Sequence, residues 1–395
     1  MSGTLSNIYN NVSYALYQHA KALASLQEQV STGSRINRVS DDPSATYQVL
    51  GLNTQDRSLG NYIDNVSEVS SSLEISSTII EEMISCFVKA TSRLTQVTSG
   101  IYDDEARKRT AEEINQMLEQ MVLLANTKNI DQYLFGGGSS GTAPYVVERT
   151  DGEITRVIYQ GSQDDRNIEI APGMQSSIFY VGDDIFRSDN RGSPVFIGDT
   201  GAKAGAGTSS VKGDVWLTVI HDGSNYKISI DDGASYVTVP VGGDSNQAVT
   251  NSVTGEVLYV DTTEISSTGV ELVRVPGTYD IFSALIGIRD ILANKRELSS
   301  VQVEELLSNS FGSLDEIHNL LVQQSVSVGS KIGFLDDLKE SLKGLKYNVE
   351  DETTRLEEAD IAQLAIDISR REILYQMSLS VAAKLMSLSL LDFIE

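Results

Sequence analysis

Cysteine, histidine and tryptophan are scarce in this chain of 395 residues, which contains one cysteine, three histidines and one tryptophan. A single cysteine, Cys86, excludes an intramolecular disulfide, and we expect a small buried or half-buried thiol because it lies in a strongly periodic helix. His19, His221 and His318 are far apart in the sequence, and none lies near Cys86 or in a metal-like cluster. The sequence therefore predicts no metal site and no cysteine nucleophile.

The motifs of catalytic sites are also missing. The segments "GDDIF", "HDG" and "IDDG" lack the oxygen-ligand series of a calcium loop, and Asp-Gly hairpin turns explain the same residues better. "FGGG" is not followed by the Gly-Lys-Ser/Thr of a phosphate loop, and neither G-x-S-x-G nor H-E-x-x-H occurs. We therefore predict no enzymatic activity, no catalytic residue and no cofactor.

The chain has fewer basic than acidic side chains and no long hydrophobic run. The chain has 55 acidic and 30 basic side chains and a formal charge of −25, which argues against nucleic acid or an anionic membrane as partner. No stretch approaches the about 18 apolar residues that a membrane span needs. The N-terminal segment lacks a basic region, an apolar core and a signal cleavage site. We expect a cytosolic protein or one exported without cleavage.

Proline is rare and unevenly placed, since five of the six prolines lie between residues 136 and 280. The flanking regions are therefore free to be helical. Between about 144 and 280 the hydrophobic period changes to two, which predicts short strands. The predicted strands are "YVVER", "ITRVIYQ", "NIEI", "DVWLTVI", "YKISI", "SYVTVPV", "EVLYV" and "VELVRV".

The N-terminal region begins with a helix whose apolar residues alternate in steps of three and four. This seam is formed by Leu5, Tyr9, Val12, Leu16, His19, Leu23, Leu26 and Val30. The loop "STGSRINRVSDDPSA" (31–45) then interrupts the pattern. Gly33 predicts the end of the first helix, Asp42 an N-cap and Pro43 the first residue of the next helix. Arg35 and Arg38 face Asp41 and Asp42 either as weak solvated ion pairs or as part of an interface.

Five further helices are predicted after this loop. The second has a stripe of Val66, Val69, Leu73, Ser76, Ile80, Met83, Phe87, Ala90, Leu94, Val97 and Ile101. A shorter one follows with Ile114, Met117, Met121 and Leu124, and another is predicted over "YDIFSALIGIRDILANK". A long stripe runs from Leu314 through Ile317, Leu321, Val328, Leu335, Leu338, Leu342 and Leu345 to Val349. The last helix presents Ile361, Ala365, Ile368, Tyr375, Leu379, Ala382 and Met386.

These patterns predict an α+β multidomain protein. An elongated helical coiled-coil or bundle core is built from both terminal regions, with antiparallel terminal helices and a central all-β insert. We divide the chain into an inner domain (1–55 and 350–395), a helical rod domain (56–138 and 280–349) and a β-rich outer domain (139–279), with a longer insert at about 198–270. The exposed seam at both ends indicates that other copies or other proteins complete the terminal layer.

Several motifs resemble one known family. "STGSRINRVSDDPSA" resembles the N-terminal hallmark of the flagellin superfamily, and its "DDPSA" ending is similar to that of the hook–filament junction family. "YLFGGG" (133–138), "VIYQGSQDDRNIEIAPG" (157–173) and the segment from "EEADIAQ" to "LLDFI" are also similar to this family.

The resemblance implies a structural adaptor of the bacterial flagellum, secreted through the flagellar type III channel. Its expected partners are further copies in a ring of about eleven, the first flagellar hook-associated protein, flagellin and a flagellar export chaperone. A flagellin that builds the filament itself is the alternative within the superfamily. An extracellular carbohydrate-acting or carbohydrate-binding protein, with its site in the β insert, is the alternative from another class. The aromatic residues Trp216, Tyr226, Tyr236 and Tyr259 are scattered along the insert, which favours β-core or surface positions over such a site.

The candidate assembly interface combines the loop after the first helix with apolar residues of the last helix. The apolar end "SLSLLDFIE" extends past the reach of the first helix. It is either an assembly and chaperone surface that a neighbouring molecule covers or a frayed end that happens to be apolar. The candidate residues are Gly33, Arg35, Asn37, Asp41, Asp42, Pro43, Tyr375, Leu379, Leu388, Leu391, Phe393 and Ile394.

Overall fold

The computed structural model describes the backbone of residues 2–99 and 103–394, and the side chains of 7, 10–99 and 103–384. The chain divides into two compact units. The terminal unit contains Met1–Asp64 and Leu338–Glu395, and the central unit contains Asn65–Asp337. The division into three domains stays a prediction.

The described residues form seven α-helices, named in chain order. They are α1 (Ser2–Thr32), α2 (Pro43–Ser99), α3 (Asp104–Ala125), α4 (Gly182–Phe186), α5 (Ile281–Ala293), α6 (Ser300–Glu357) and α7 (Ile361–Ile394). No described helix is long and apolar enough to cross a membrane.

Fourteen strands lie between α3 and α5. They are β1 (Lys128–Asn129), β2 (Gln132–Tyr133), β3 (Tyr145–Thr150), β4 (Glu153–Tyr159), β5 (Arg166–Ala171), β6 (Met174–Phe179), β7 (Val195–Ile197), β8 (Lys203–Ala204), β9 (Gly213–His221), β10 (Tyr226–Ser229), β11 (Val237–Thr238), β12 (Gln247–Thr250), β13 (Val257–Asp261) and β14 (Gly269–Val275).

The helix boundaries follow from local hydrogen bonds. The Asp103 carboxylate accepts the N–H of Ala106 at 2.8 Å and caps α3. Asp280 caps α5 by accepting the N–H groups of Phe282 and Ser283 at 2.9 and 2.8 Å. A carboxylate at this position satisfies N–H groups that have no partner within the helix, so the helix begins at a defined residue.

The helical core of the central unit confirms most of the predicted stripes. Every described member of the α2 stripe is buried, and its last member, Ile101, lies outside the described residues. In α3, Ile114 and Met121 are buried as predicted, but Met117 is half-buried and Leu118 is fully buried instead. The prediction for Met117 was wrong, because the buried residue is its neighbour Leu118. A helix with partners on several sides buries a wider face than the narrow seam of a coiled coil. Leu124 is half-buried for the same reason.

The predicted hairpins of the β region are present. His221 pairs with Tyr226 across the β9–β10 turn, and Lys227 pairs with Thr238 between β10 and β11. The main sheet has the order β11-β10-β9-β14-β7, and a three-stranded sheet has the order β12-β13-β8. Leu217, Val260 and Val273 lie in the shared core of these sheets. Each predicted strand overlaps an observed one, whereas β1, β2, β6, β7, β8 and β12 are not among the predictions.

In the terminal unit α1 and α7 pack against each other. The chain near Gly33 contacts Ala359, and His19 contacts Arg371, so residue numbers rise along α1 as they fall along α7. This antiparallel pairing and the central β-rich region confirm the predicted α+β fold, with helices from both ends of the chain.

The isolated cysteine also lies where it is expected. Cys86 is buried, and its sulfur is 3.9 Å from the carbonyl oxygen of Met117. Burial raises the pKa of the thiol above its usual value, which favours the unreactive form.

Candidate functional site

The candidate site begins at the end of α1. Gly33 has a φ of +72°, and its N–H donates to the carbonyl oxygen of Gln29 at 2.9 Å. A residue in the left-handed region turns the chain away from the helix axis, and glycine takes this conformation without steric cost. The predicted end of the first helix is therefore confirmed.

Asp41 organises the inside of the loop. One oxygen of its carboxylate accepts the backbone N–H groups of Asn37 and Arg38 at 3.1 and 2.8 Å. The side-chain amide of Asn37 donates to the carbonyl oxygen of Ser34 at 3.1 Å. These short-range bonds hold the polar loop in one conformation, as local side-chain acceptors do in turns.

Asp42 connects the loop to α2, which begins at Pro43. One carboxylate oxygen accepts the N–H of Ala45 at 3.0 Å, and the other accepts Nη1 of Arg35 at 3.2 Å. The Ala45 N–H, followed by the Arg35 guanidinium, lowers the pKa of Asp42 below its usual value. The predicted N-cap is confirmed, and so is a local ion pair of the loop.

The loop is bonded to the junction between α6 and α7. Ser34 forms a β-bridge with Glu358, and the N–H of Arg35 donates to the carbonyl oxygen of Glu357 at 2.6 Å. The N–H of Ala359 donates back to Gly33 at 3.1 Å, and Nη2 of Arg35 donates to the carbonyl oxygen of Leu356 at 3.0 Å. Two helix junctions that are more than 300 residues apart in sequence therefore form one backbone-bonded element.

Sequence reasoning did not find the contribution of Glu357, Glu358 and Ala359. A signal was present, because Asp360 caps α7 by accepting the N–H of Gln363 at 3.0 Å, as Asp42 caps α2. A helix start immediately after a predicted long helix marks a second sharp turn. Nothing in either segment indicates that the two turns bond to each other.

The ion pair between Arg38 and Glu28 is a weaker feature of the loop. Its atoms are 3.2 Å apart, and both side chains are largely in solvent. Exposed pairs of this kind contribute little stability because water and salt screen them. The backbone bonds, rather than the surface charges, hold the loop.

The candidate residues of α7 are only partly covered by α1. Tyr375 is half-buried, and Leu379 is exposed. A cavity of about 520 Å³ lies between the helices, lined by Leu26, Arg370 and Leu374 among others. The side chains of Leu388, Leu391, Phe393 and Ile394 lie outside the described residues, so their part in the interface stays a prediction.

The terminal unit presents many large apolar side chains to solvent. Tyr47 is 79% exposed and Ile366 is 61% exposed. The full set of exposed large hydrophobic residues among the described part of this unit is Tyr14, Tyr17, Val30, Val39, Tyr47, Leu50, Leu345, Tyr347, Ile361, Ile366, Ile373, Leu374, Met377, Leu379 and Val381. Val30, Leu345 and Ile361 were predicted to lie in helix seams, and their exposure shows that the chain alone does not complete those seams.

The acidic segments of the β region form turns. Asp222 accepts the N–H groups of Ser224 and Asn225 at 3.0 and 2.9 Å within the β9–β10 hairpin. Asp231 accepts hydroxyl or amide groups of Ser229, Ser235 and Ser252. Among the residues that the structure describes, no three or more histidine, cysteine or acidic side chains form a group that could hold a metal ion.

Comparison with known proteins identifies a family over the first third of the chain. Residues 5–139 match the family described as the bacterial flagellin N-terminal helical region. The chain is 25% identical over 162 residues to flagellar hook-associated protein 3 of Escherichia coli, covering 41% of this chain and 49% of that protein. The chain therefore spans about half the length of that curated relative.

Two further likenesses extend over more of the chain. Polar flagellin C of Vibrio parahaemolyticus is 20% identical over 368 residues, which covers 90% of this chain and 89% of that protein. The crystal structure of flagellar hook-associated protein 3 from Legionella pneumophila matches with a TM-score of 0.53 at 16% identity, covering 77% of this chain and 98% of that one. This structural likeness shows that the fold is shared. Residues 5–139 are thus similar to the N-terminal helical region of bacterial flagellins, and the chain shares its fold with a flagellar hook-associated protein 3.

Proposed function

We propose that this protein is a non-enzymatic structural adaptor at the hook–filament junction of the bacterial flagellum. About eleven copies would form a ring that joins the first hook-associated protein to flagellin. The observation that supports this proposal is the exposed apolar surface of the terminal unit, defined by the fifteen residues given above. The resemblance to hook-associated protein 3 supports the place of the ring in the flagellum.

Covering this apolar surface would stabilise an assembly of several copies. Burial of a large apolar side chain contributes about 1.5–3 kcal/mol. α7 alone exposes Ile366, Ile373 and Met377, each by more than half of its surface. Neighbouring copies that cover these side chains would complete the helical layer and stabilise an assembly that the isolated chain cannot form.

The loop between α1 and α2 supplies rigidity to this layer. Its bonds to Glu357 and Ala359 connect the end of α1 and the start of α2 to the junction between α6 and α7. A helix end held by backbone hydrogen bonds keeps its apolar face in a fixed orientation, which a repeated subunit contact requires. In this proposal Gly33, Asn37, Asp41 and Asp42 act by positioning the helices.

Export would use the flagellar type III channel without cleavage, and a flagellar chaperone would cover the C-terminal helix before secretion. The exposed side chains of α7 support this part of the proposal because an uncovered apolar helix promotes aggregation. The proposal places the assembled protein outside the cell, in the flagellum.

A gene deletion scored by electron microscopy tests the proposed role. We expect hooks without filaments and flagellin lost to the medium. Complementation with Ile366→Asp and Ile373→Asp should leave the bare-hook phenotype, because the new charges lie in the proposed contact. The matched control is Val301→Asp with Val326→Asp, which changes two exposed residues of the central unit and should restore filaments. Normal filaments in the deletion strain would contradict the junction role.

A flagellin that builds the whole filament is the second candidate. It is favoured by the match to polar flagellin C, which extends over 90% of this chain. Immunogold labelling distinguishes the candidates, since label at the junction alone supports the adaptor and label along the filament supports the flagellin.

A further inference from the structure

The central unit contains a cleft that the proposed assembly role does not use. Its volume is about 990 Å³, and it is lined by β4, the start of β9, α5 and the segment that follows α5. This volume is at the upper end of the range for small-molecule sites, about 300–1,000 Å³. Both charged and aromatic side chains line its walls.

The carboxylates of the cleft already have partners within the protein. Asp214 accepts Nε and Nη2 of Arg274 at 3.0 Å, and it also accepts the hydroxyl of Tyr279. Asp290 accepts Nη2 of Arg289 at 2.8 Å. The remaining aspartates are held in the same way: Asp183 by Arg187, Asp232 by Arg296, and Asp280 by the first turn of α5. These oxygens have fixed positions, and they retain lone pairs that can accept hydroxyl donors.

Two cationic groups of the cleft, Arg156 and Lys212, lack such partners, and Arg187 bonds Asp183 through Nη1. Arg156 on β4 and Lys212 before β9 are exposed, and neither has a hydrogen bond or ion pair with any described residue. The Nε atom of Arg187 is buried and has no hydrogen-bond partner among the described residues. A buried N–H without an acceptor costs free energy that a bound acceptor would recover. Glu256, the remaining carboxylate of the cleft, accepts the hydroxyl of Thr254 at 3.1 Å, so the charged side chains of the lining that have no partner among the described residues are Arg156 and Lys212.

Trp216 adds an aromatic wall to the cleft. The guanidinium of Arg296 lies 4.5 Å from the centre of its ring, and Tyr159 lines the cleft as well. Tyr226, Tyr236 and Tyr259, grouped with Trp216 by sequence reasoning, do not line the cleft. The aromatic cluster that would favour a neutral carbohydrate is therefore not formed.

We propose that this cleft binds an acidic oligosaccharide, in which each sugar carries one carboxylate and several hydroxyls. The carboxylate would bind Arg156 and Lys212, and the hydroxyls would donate to the fixed aspartates. A neutral sugar would leave the cationic groups unpaired. An acidic peptide would bring carboxylates next to Asp183, Asp214 and Asp290 without hydroxyl donors to satisfy them.

The test uses the full chain and the fluorescence of Trp216, which is the sole tryptophan and therefore reports on the cleft without a label. Trigalacturonate is the probe, maltotriose is the neutral comparison and triglutamate is the peptide comparison. We expect a saturable change with trigalacturonate alone, confirmed by calorimetry. Arg156→Gln with Lys212→Gln should weaken binding about tenfold or more, because two charge-assisted hydrogen bonds are lost.

The matched control is Lys108→Gln with Arg109→Gln, which removes the same two charges from exposed positions on α3. It should bind as the unmodified chain does. No binding at concentrations up to about 10 mM would overturn the proposal. Equal binding of maltotriose, binding of triglutamate, or equal weakening by both double variants would also overturn it. None of these outcomes affects the assembly role, which rests on the terminal unit.

Discussion

The central unit and the terminal unit differ in how completely they bury their apolar side chains. In the central unit, Val66, Leu73, Ile80 and Phe87 are fully buried along a single helix. In the terminal unit the most buried large hydrophobic side chain among the described residues is Leu342, at 4% exposure. Both units are built from helices with the same apolar spacing, so spacing alone does not determine burial.

The difference reflects what surrounds the helices of each unit. In the central unit α3 packs against α5, and both of these helices contact β4. In the described part of the terminal unit α1 packs against α7, and part of each seam faces solvent. A small helical layer buries too little surface to be stable alone, whereas copies of itself can supply the missing cover.

Limited proteolysis should give the largest difference between the units. We expect trypsin to remove the terminal unit and to leave a stable fragment close to Asn65–Asp337, because cleavage follows local opening of poorly buried helices. Mass spectrometry of the fragments measures the boundaries. Equal resistance of the full chain would show that the terminal unit is as stable as the central one.

Truncation of a buried side chain of the central unit should cost much more stability than truncation of an exposed side chain of the terminal unit, although both lie on α2. Phe87→Ala removes a fully buried ring and should lower the free energy of unfolding by about 3–5 kcal/mol. Leu50→Ala, at a position that is 64% exposed, should change it by less than about 0.5 kcal/mol. Urea denaturation followed by circular dichroism, which reports on the helices of both units, measures both. Similar losses in the two variants would contradict the contrast in burial.

Breaking an ion pair should also cost more stability in the central unit than in the terminal unit. Arg274 and Asp214 are both largely buried, so Arg274→Met leaves a carboxylate without its partner and should cost about 3–5 kcal/mol. Arg38 and Glu28 are exposed, so Arg38→Met should cost at most about 1 kcal/mol. The difference in the free energy of unfolding between the two variants should persist at high salt, because salt screens the exposed pair and not the buried one.

The smallest effect is expected at the N-cap of α2. The pKa of Asp42 is lowered from the usual value of 3.8, so its stabilising effect is present above that pH and is lost as the pH falls through the lowered value. Asp42→Ala should accelerate hydrogen exchange of the Ala45 amide at neutral pH, without changing the unfolding midpoint reported by Trp216. The unmodified chain should lose the same protection at low pH. An unchanged exchange rate in the variant would show that the cap does not hold this turn.

Local patterns in the sequence predicted the elements with strong periodicity or specific turn residues. The stripe from Val66 to Val97 and the hairpin at Asp222 are examples, because each depends on neighbours within a few residues. The strands β7, β8 and β12 escaped prediction since each has two to four residues, too few to show a period. The one-position error at Met117 has another cause, because the partners of α3 decide which of its apolar residues is innermost.

The candidate site could be predicted only in part. Gly33, Asp42 and Pro43 act on their immediate neighbours, so their roles follow from residue type and order. The bonds of Ser34 and Arg35 to Glu358 and Glu357 join segments that no local pattern connects. The cleft beside Trp216 could not be predicted either, since its residues come from several strands, two helices and the loops between them.

The sequence by itself determined where helices begin and end, where the chain changes to strands, and that both ends carry apolar seams. These properties depend on backbone preferences and on side-chain spacing, which act over a few residues. Only the tertiary structure decided which seams are covered within the chain and which remain exposed. Burial depends on the partners that distant segments provide, and in the terminal unit those segments cover one face of each helix and leave the other to solvent.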